Sequence, residues 1–123
     1  MKLTINRERW LRGEGSTNSK LLRLSDGKMC CLGFYCIALG LSQEQIREVN
    51  SPIGVADKLP TKGIWMVAPV SSEELSGGVR RDVDIGAGNL MEINDSVIEM
   101  PDKREKLIAE EFVKHGVDVE FVN

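Results

Sequence analysis

The residues of this chain most able to do chemistry are its cysteines and its histidine. Cys30, Cys31 and Cys36 lie within seven residues, and His115 is the only histidine. Together they have the composition of a Cys3His zinc site, but structural zinc sites usually space their cysteines two to four residues apart in a turn. On a helix these sulfurs point in directions about 0°, 100° and 240° around the axis. We therefore predict neither a metal site nor a cofactor.

A thiol nucleophile is the alternative chemistry. Cys31 lies near the start of a predicted helix, where the helix dipole favours the thiolate, and His115 can serve as the base. This pair would define a cysteine-dependent hydrolase or transferase. The signatures that surround catalytic cysteines are absent, and free cysteine is usually buried. We therefore interpret the thiols as core side chains and His115 as a C-terminal helix residue beside Glu111.

Basic residues are concentrated near the amino terminus. Residues 1–28 carry seven basic and three acidic side chains, against nine basic and sixteen acidic ones in the remainder. A nucleic-acid-binding module is a further alternative, with Trp10 as a stacking ring and backbone phosphates bound by Arg7, Arg9, Arg12, Lys20 and Arg23. The formal net charge of −3 opposes it. The acidic remainder would steer a basic partner, or the two ends would neutralise each other in the folded chain.

The segment GEGSTNS (13–19) is rich in glycine and polar residues. It lacks the Gly-Lys-Ser/Thr ending of a phosphate-binding loop, so we interpret it as an exposed loop. Loops carry variable function on a fixed scaffold. Together with the neighbouring arginines, this loop supplies the predicted partner-binding residues, which are Arg7, Arg9, Arg12, Glu14, Ser16 and Asn18.

Local patterns predict the elements of the amino-terminal half. Alternation favours a strand at residues 2–5, and the apolar run favours another at 20–24. Asn6 is a good N-cap for a short helix at 7–12, which Gly13 would end.

The central run, residues 29–41, contains no charged side chain and is apolar around the whole helical wheel. It predicts a buried helix that stops at Gly40. Ser42 and Gln45 have the form of a capping box and begin a second helix that continues to about Val49.

The carboxy-terminal half predicts a strand at 63–70, a short helix at 88–95 and a longer amphipathic helix after Pro101. Asp102 and Glu105 have the spacing of another capping box. Residues 117–122 alternate as a half-exposed strand. The apolar face of the longer helix is formed by Ile108, Ala109, Phe112 and Val113.

The length of 123 residues, with 41% apolar and 28% charged residues, is typical of one globular domain. No segment has the roughly twenty apolar residues of a membrane-spanning helix, and the amino terminus lacks a secretory signal. Clustered, odd-numbered cysteines fit a reducing compartment. We therefore predict a cytoplasmic α+β domain over residues 1–123. Its small, mainly antiparallel sheet joins the N- and C-terminal strands and packs on the central helix and the C-terminal amphipathic helix.

Several stretches carry a resemblance to a known family: WLRGEG (10–15), GKMCCLGF (27–34), IND (93–95) and GVDVEF (116–121). In these stretches the chain resembles a family of small proteins encoded by bacteriophages and prophages. That family has no assigned activity. The resemblance therefore implies a phage gene expressed in the bacterial cytosol, and it supplies no site residues.

This setting predicts a non-enzymatic accessory protein that binds a host macromolecule, above all a host protein, and inhibits a host process or defence system. Small phage proteins without catalytic motifs commonly act by occupying a surface of a host protein, which is an argument by association. Replacing Arg7, Arg9 and Arg12 by glutamate is then expected to abolish capture of the partner while thermal stability stays nearly intact.

Overall fold

The computed structural model describes residues 1–15, 17–50, 55 and 89–123. These residues combine helices with a small sheet, as the α+β prediction requires. A 3-10 turn follows the first strand, and residues 89–95 are helical. The other elements are β1 (Lys2–Asn6), α1 (Cys31–Ala38), α2 (Gln43–Ile46), α3 (Pro101–Val113) and β2 (Asp118–Val122).

In the described part of the chain, β1 and β2 form a two-stranded sheet with parallel strands. The prediction of an antiparallel sheet is therefore wrong, although both strands are confirmed. Leu3 lies beside Val119 and Ile5 beside Phe121. A pattern of period two is the same when read in either direction, so it could place the inward residues but not the strand direction. Parallel neighbours need a long crossover, which the chain between the two strands provides.

The region around α1 forms the centre of the core. Leu32 and Cys36 are fully buried, and α1 contacts β1. A Cβ atom added at Gly33 would overlap the backbone carbonyl of Leu21, so glycine is what allows the helix to approach that segment. The predicted strand at 20–24 is wrong, because Leu22 makes only an isolated bridge to Arg47.

The helix boundaries near α1 and α2 are partly as predicted. Gly40 follows α1 with φ of 105°, which confirms the stop signal. The capping box of α2 is confirmed, since Ser42 Oγ accepts from Gln45 N at 3.2 Å and Gln45 Oε1 accepts from Ser42 N at 2.8 Å. The helix nevertheless ends at Ile46, before Val49.

The first predicted helix is reduced to the 3-10 turn Arg7–Arg9. Asn6 caps it as expected, because its Oδ1 accepts from Glu8 N at 2.9 Å. The turn ends when Trp10 leaves the helical path and bridges to Met29. Tertiary pairing therefore overrides the local helical pattern.

The capping box predicted for α3 is wrong. The N-cap is Met100, which makes no side-chain capping bond, and Pro101 is the first helical residue. Ile108 and Phe112 are fully buried, as predicted, but Val113 is 55% exposed. Arg104 and Glu111 are buried instead. The strand predicted at 63–70 lies outside the described residues.

Among the residues that the structure describes, no helix is long and apolar enough to cross a membrane.

Candidate functional site

The three thiols are buried in the core. Burial raises the pKa of Cys30 and of Cys36 to about 12, and it raises the pKa of Cys31 well above its usual value. The thiolate is the nucleophile and the metal ligand, so thiols that stay protonated are poorly suited to either task. Among the residues that the structure describes, no three Cys, His, Asp or Glu side chains are grouped as a metal ion requires.

The candidate catalytic pair is engaged with other partners. Cys31 Sγ lies 3.9 Å from the carbonyl oxygen of Leu90. His115 Nε2 lies 3.5 Å from Glu111 Oε2, four residues earlier, which is the contact predicted from the sequence. The arrangement thus favours a packing role for Cys31 and a helix-end role for His115.

All three arginines predicted to bind a partner make contacts within the fold. Arg7 donates from Nε and Nη2 to both carboxylate oxygens of Glu105, at 2.7 and 2.8 Å. This hydrogen-bonded pair lowers the pKa of Glu105. Arg12 lies over the Trp10 ring at 4.4 Å and donates to two backbone carbonyls. Arg9 is exposed, and its Nη2 donates to Gly27 O at 3.4 Å. Replacing all three would also remove intramolecular contacts, so lost capture alone would not identify a binding patch.

Trp10 is buried, so its ring is not presented for stacking on a base. It lies 5.1 Å from the Phe121 ring, and its Nε1 donates to Asn94 Oδ1 at 2.7 Å. Arg7 pairs with Glu105 near the other end of the chain, so part of the basic amino terminus is neutralised in the fold. Both observations weaken the nucleic-acid alternative.

The remaining predicted partner-binding residues belong to the loop after Gly13. Glu14 and Asn18 are exposed, and Asn18 Nδ2 donates to the Glu14 carbonyl at 3.1 Å. The Glu14 carboxylate pairs with Arg23 at 2.8 Å. Ser16 lies outside the described residues. The loop is therefore accessible, as expected, but the charge of Glu14 is already paired.

Asn94 is a buried polar hub that joins distant parts of the chain. Its Oδ1 accepts from Trp10 Nε1 and from Cys31 N at 3.1 Å, at the start of α1. Its Nδ2 donates to Leu11 O at 3.0 Å and to Asp95 Oδ1 at 2.9 Å. A fully buried amide with these four bonds fixes the end of the 89–95 helix against the amino-terminal segment.

Arg104 holds the chain that follows this helix. It is buried, and its Nη1 donates to Asn94 O at 3.0 Å, while Nη2 donates to Ser96 O at 2.8 Å and to Glu99 O at 3.0 Å. Gly13, with φ of 70°, packs against the guanidinium; a Cβ atom there would lie 2.9 Å from Nη1. The planar guanidinium of Arg104 thus fixes the backbone carbonyls of residues 94, 96 and 99.

The segment that Arg104 holds, residues 96–100, is called the apolar loop below. Three large apolar side chains in it face outward: Val97 is 69% exposed, Ile98 88% and Met100 67%. Single exposed apolar residues are common, but three within four residues form a patch of the kind found at interaction sites.

The loop of residues 13–19, called the glycine-rich loop, lies beside the apolar loop. Gly13 N donates to Asn94 O at 2.8 Å, and Gly15 N donates to Asp95 O at 2.9 Å. A groove of about 510 Å³, called the apolar groove below, is lined by residues from both loops. The lining includes Gly15, Met91, Glu92, Ser96, Val97 and Ile98.

A second groove, of about 330 Å³, adjoins the first and shares Glu92 and Ser96 with it. Its lining also includes Asn89, Glu99 and Glu111. Because three of its side chains are carboxylates, it is called the acidic groove below.

Sequence reasoning identified the 13–19 loop but missed Asn94, Arg104 and the apolar loop. The sequence shows that Val97, Ile98 and Met100 are apolar, but they lie between the two predicted helices, and nothing in their spacing indicates that they are exposed. A scan against protein-family models found no match, and searches of the curated proteins and of the solved structures found none either.

Proposed function

We propose that this is a non-enzymatic phage or prophage accessory protein that acts in the bacterial cytoplasm by binding a host protein. The apolar loop and the adjoining glycine-rich loop form the binding surface. Occupying the partner's surface would inhibit or redirect the host process in which that partner acts. The observation that carries the proposal is the outward-facing apolar triad on a loop that buried Arg104 holds in place.

The exposure of these side chains is favourable for binding. Covering a side chain such as Ile98 contributes roughly 1.5 to 3 kcal/mol relative to leaving it in water. Three such side chains are adjacent here, which resembles the clustering of binding energy seen in protein interfaces. Arg104 fixes the loop backbone before any partner arrives, so less conformational entropy is lost on association.

The charges near the loop favour a protein over a membrane or a nucleic acid. Glu92 lines both grooves, and Glu99 lines the acidic one. Anionic phospholipid headgroups and nucleic-acid phosphates would both be repelled by these carboxylates. A protein surface can supply apolar contacts without that repulsion.

Affinity capture from a bacterial lysate tests the proposal with the whole chain as bait. Ile98→Asp places a charge in the apolar loop, and Leu24→Asp is the matched control, because Leu24 is another large apolar residue that is 64% exposed. Both variants are expected to keep the wild-type circular dichroism spectrum and melting temperature, since exposed substitutions usually change stability little.

We expect the wild type and Leu24→Asp to capture the same protein at near-equal stoichiometry, and Ile98→Asp to recover about tenfold less of it, a loss of about 1.4 kcal/mol. Equal recovery by Ile98→Asp would contradict the proposal, and so would an empty lane for the wild type. Sedimentation with vesicles of anionic phospholipid that required Ile98 would assign the surface to a membrane instead.

A further inference from the structure

We infer that the segment of the partner that docks here is basic and amphipathic, with an apolar side chain in the apolar groove and a lysine or arginine in the acidic groove. This inference rests on the proposed function and adds the chemistry of the partner to it.

The first argument is the adjacency of the two grooves. They share Glu92 and Ser96, so the two grooves adjoin and one continuous peptide segment can reach both. The apolar groove is lined by Val97 and Ile98, whose exposed methyl groups suit an aliphatic or aromatic side chain. A side chain a few positions away in the same partner segment would then enter the acidic groove.

The second argument is the charge that the acidic groove presents. Glu111 is already matched, with Lys114 Nζ at 3.6 Å and His115 Nε2 at 3.5 Å from its carboxylate. Asn89 Nδ2 also donates to it at 3.4 Å. Glu92 and Glu99 differ, because no ion pair formed among the described residues includes either of them.

Lys103 is the basic residue closest to Glu99 in the sequence, but no ion pair among the described residues joins the two. Arg104, the next residue, directs its donors to backbone carbonyls. It donates to Asn94 O, Ser96 O and Glu99 O, which places the guanidinium beneath the loop. Glu99 Oε1 accepts from Met100 N at 3.2 Å, a hydrogen bond that brings no positive charge to the carboxylate. Within the described part of the chain, two carboxylates therefore remain for a cationic partner, consistent with a formal net charge of −3 for the whole chain.

The test uses a library of short random peptides displayed against the immobilised, full-length protein. The diagnostic variant is Glu92→Lys with Glu99→Lys, which reverses both unmatched charges. Its control is Glu8→Lys with Glu44→Lys, because those exposed glutamates give the same change in net charge away from both grooves. Ile98→Asp reports separately on the apolar groove.

We expect the wild type to enrich peptides in which a large apolar residue lies within one helical turn of lysine or arginine. Their recovery should fall about tenfold on the diagnostic double variant, change little on the control and be lost with Ile98→Asp. Ile98-dependent peptides without basic residues, or peptides indifferent to the double variant, would overturn the charge inference and leave the proposed function standing. If no enriched peptide depends on Ile98, the docking surface itself is wrong and both proposals fall.

Discussion

Replacing Asn94 by alanine is expected to lower the free energy of unfolding by about 3 to 5 kcal/mol. The substitution removes the acceptor for Trp10 Nε1 and for Cys31 N, and the donor for Leu11 O. All of these bonds are buried. Because a typical domain is stable by only about 5 to 15 kcal/mol, the variant should lie close to its unfolding threshold.

The magnitude follows from the groups left unpaired. Each buried donor or acceptor without a partner costs about 1 to 3 kcal/mol. Four groups lose their partner, since the indole, the Cys31 amide, the Leu11 carbonyl and the Asp95 carboxylate all bond to the Asn94 side chain. Entry of a water molecule into the space left by the amide would recover part of the loss, so we expect a value near the lower end of the resulting range of about 4 to 12 kcal/mol.

Urea denaturation followed by far-ultraviolet circular dichroism measures the effect. The matched control is Asn18→Ala. Asn18 is exposed, and within the described residues its side chain donates only to Glu14 O, so the substitution should change stability by about 0.5 kcal/mol or less. Asn94→Asp sharpens the test, since its new carboxylate would lie beside Asp95 in a buried site. The folded state would then retain a proton that the unfolded state releases, so this variant should gain stability as the pH falls. If Asn94→Ala matches Asn18→Ala, the hub does not hold the fold together.

The remaining predictions concern packing, thiols and pH. Gly33→Ala should cost about 1 to 3 kcal/mol in urea denaturation, because its Cβ would overlap Leu21 O; wild-type stability would contradict that close approach. The three buried thiols should react with a thiol reagent only as the protein unfolds, and stability should fall as the pH rises above about 9, since unfolded thiols ionise there while the folded ones stay protonated. Rapid labelling of the native protein would contradict this. Arg23 lowers the pKa of Asp26 to about 2, so that pair's contribution should be complete above about pH 4 and be lost as the pH falls toward 2. Arg23→Gln should reduce the change in the free energy of unfolding between about pH 4 and pH 2. An unchanged pH dependence would contradict a stabilising Arg23–Asp26 ion pair.

Local signals in the sequence were reliable where a single turn or helix end decides the conformation. Asn6 capped its turn and the Ser42 box formed, because both depend on a side chain and a backbone amide two or three residues away. Gly40 ended α1 for the same kind of local reason. Short-range steric and hydrogen-bonding constraints therefore carried the correct predictions.

Features that depend on distant partners were not predicted. Glu105 has the spacing of a capping residue, yet it pairs with Arg7, 98 positions away in the chain. The alternation predicted both strands, but the parallel direction that places Leu3 beside Val119 was not encoded in it. In each case the deciding interaction forms only after the two ends of the chain meet.

The binding surface was found only in part for the same reason. The composition of residues 13–19 is enough to predict a loop. The exposure of Ile98 depends instead on how Arg104 binds the backbone carbonyls of Ser96 and Glu99. An arginine in a predicted helix is expected to be solvated, and nothing in the spacing of Arg104 indicates that it is buried beneath a loop. The sequence therefore predicted one side of the surface and missed the other.

Amide hydrogen exchange on the complex with the captured partner tests the central claim most directly. The proposed function predicts that partner binding slows exchange in peptides covering residues 13–18 and 96–100, while peptides covering Arg7–Arg9 and α2 exchange as in the free protein. Protection confined to other segments, with residues 96–100 unchanged, would show that the apolar loop is not the surface by which this protein binds.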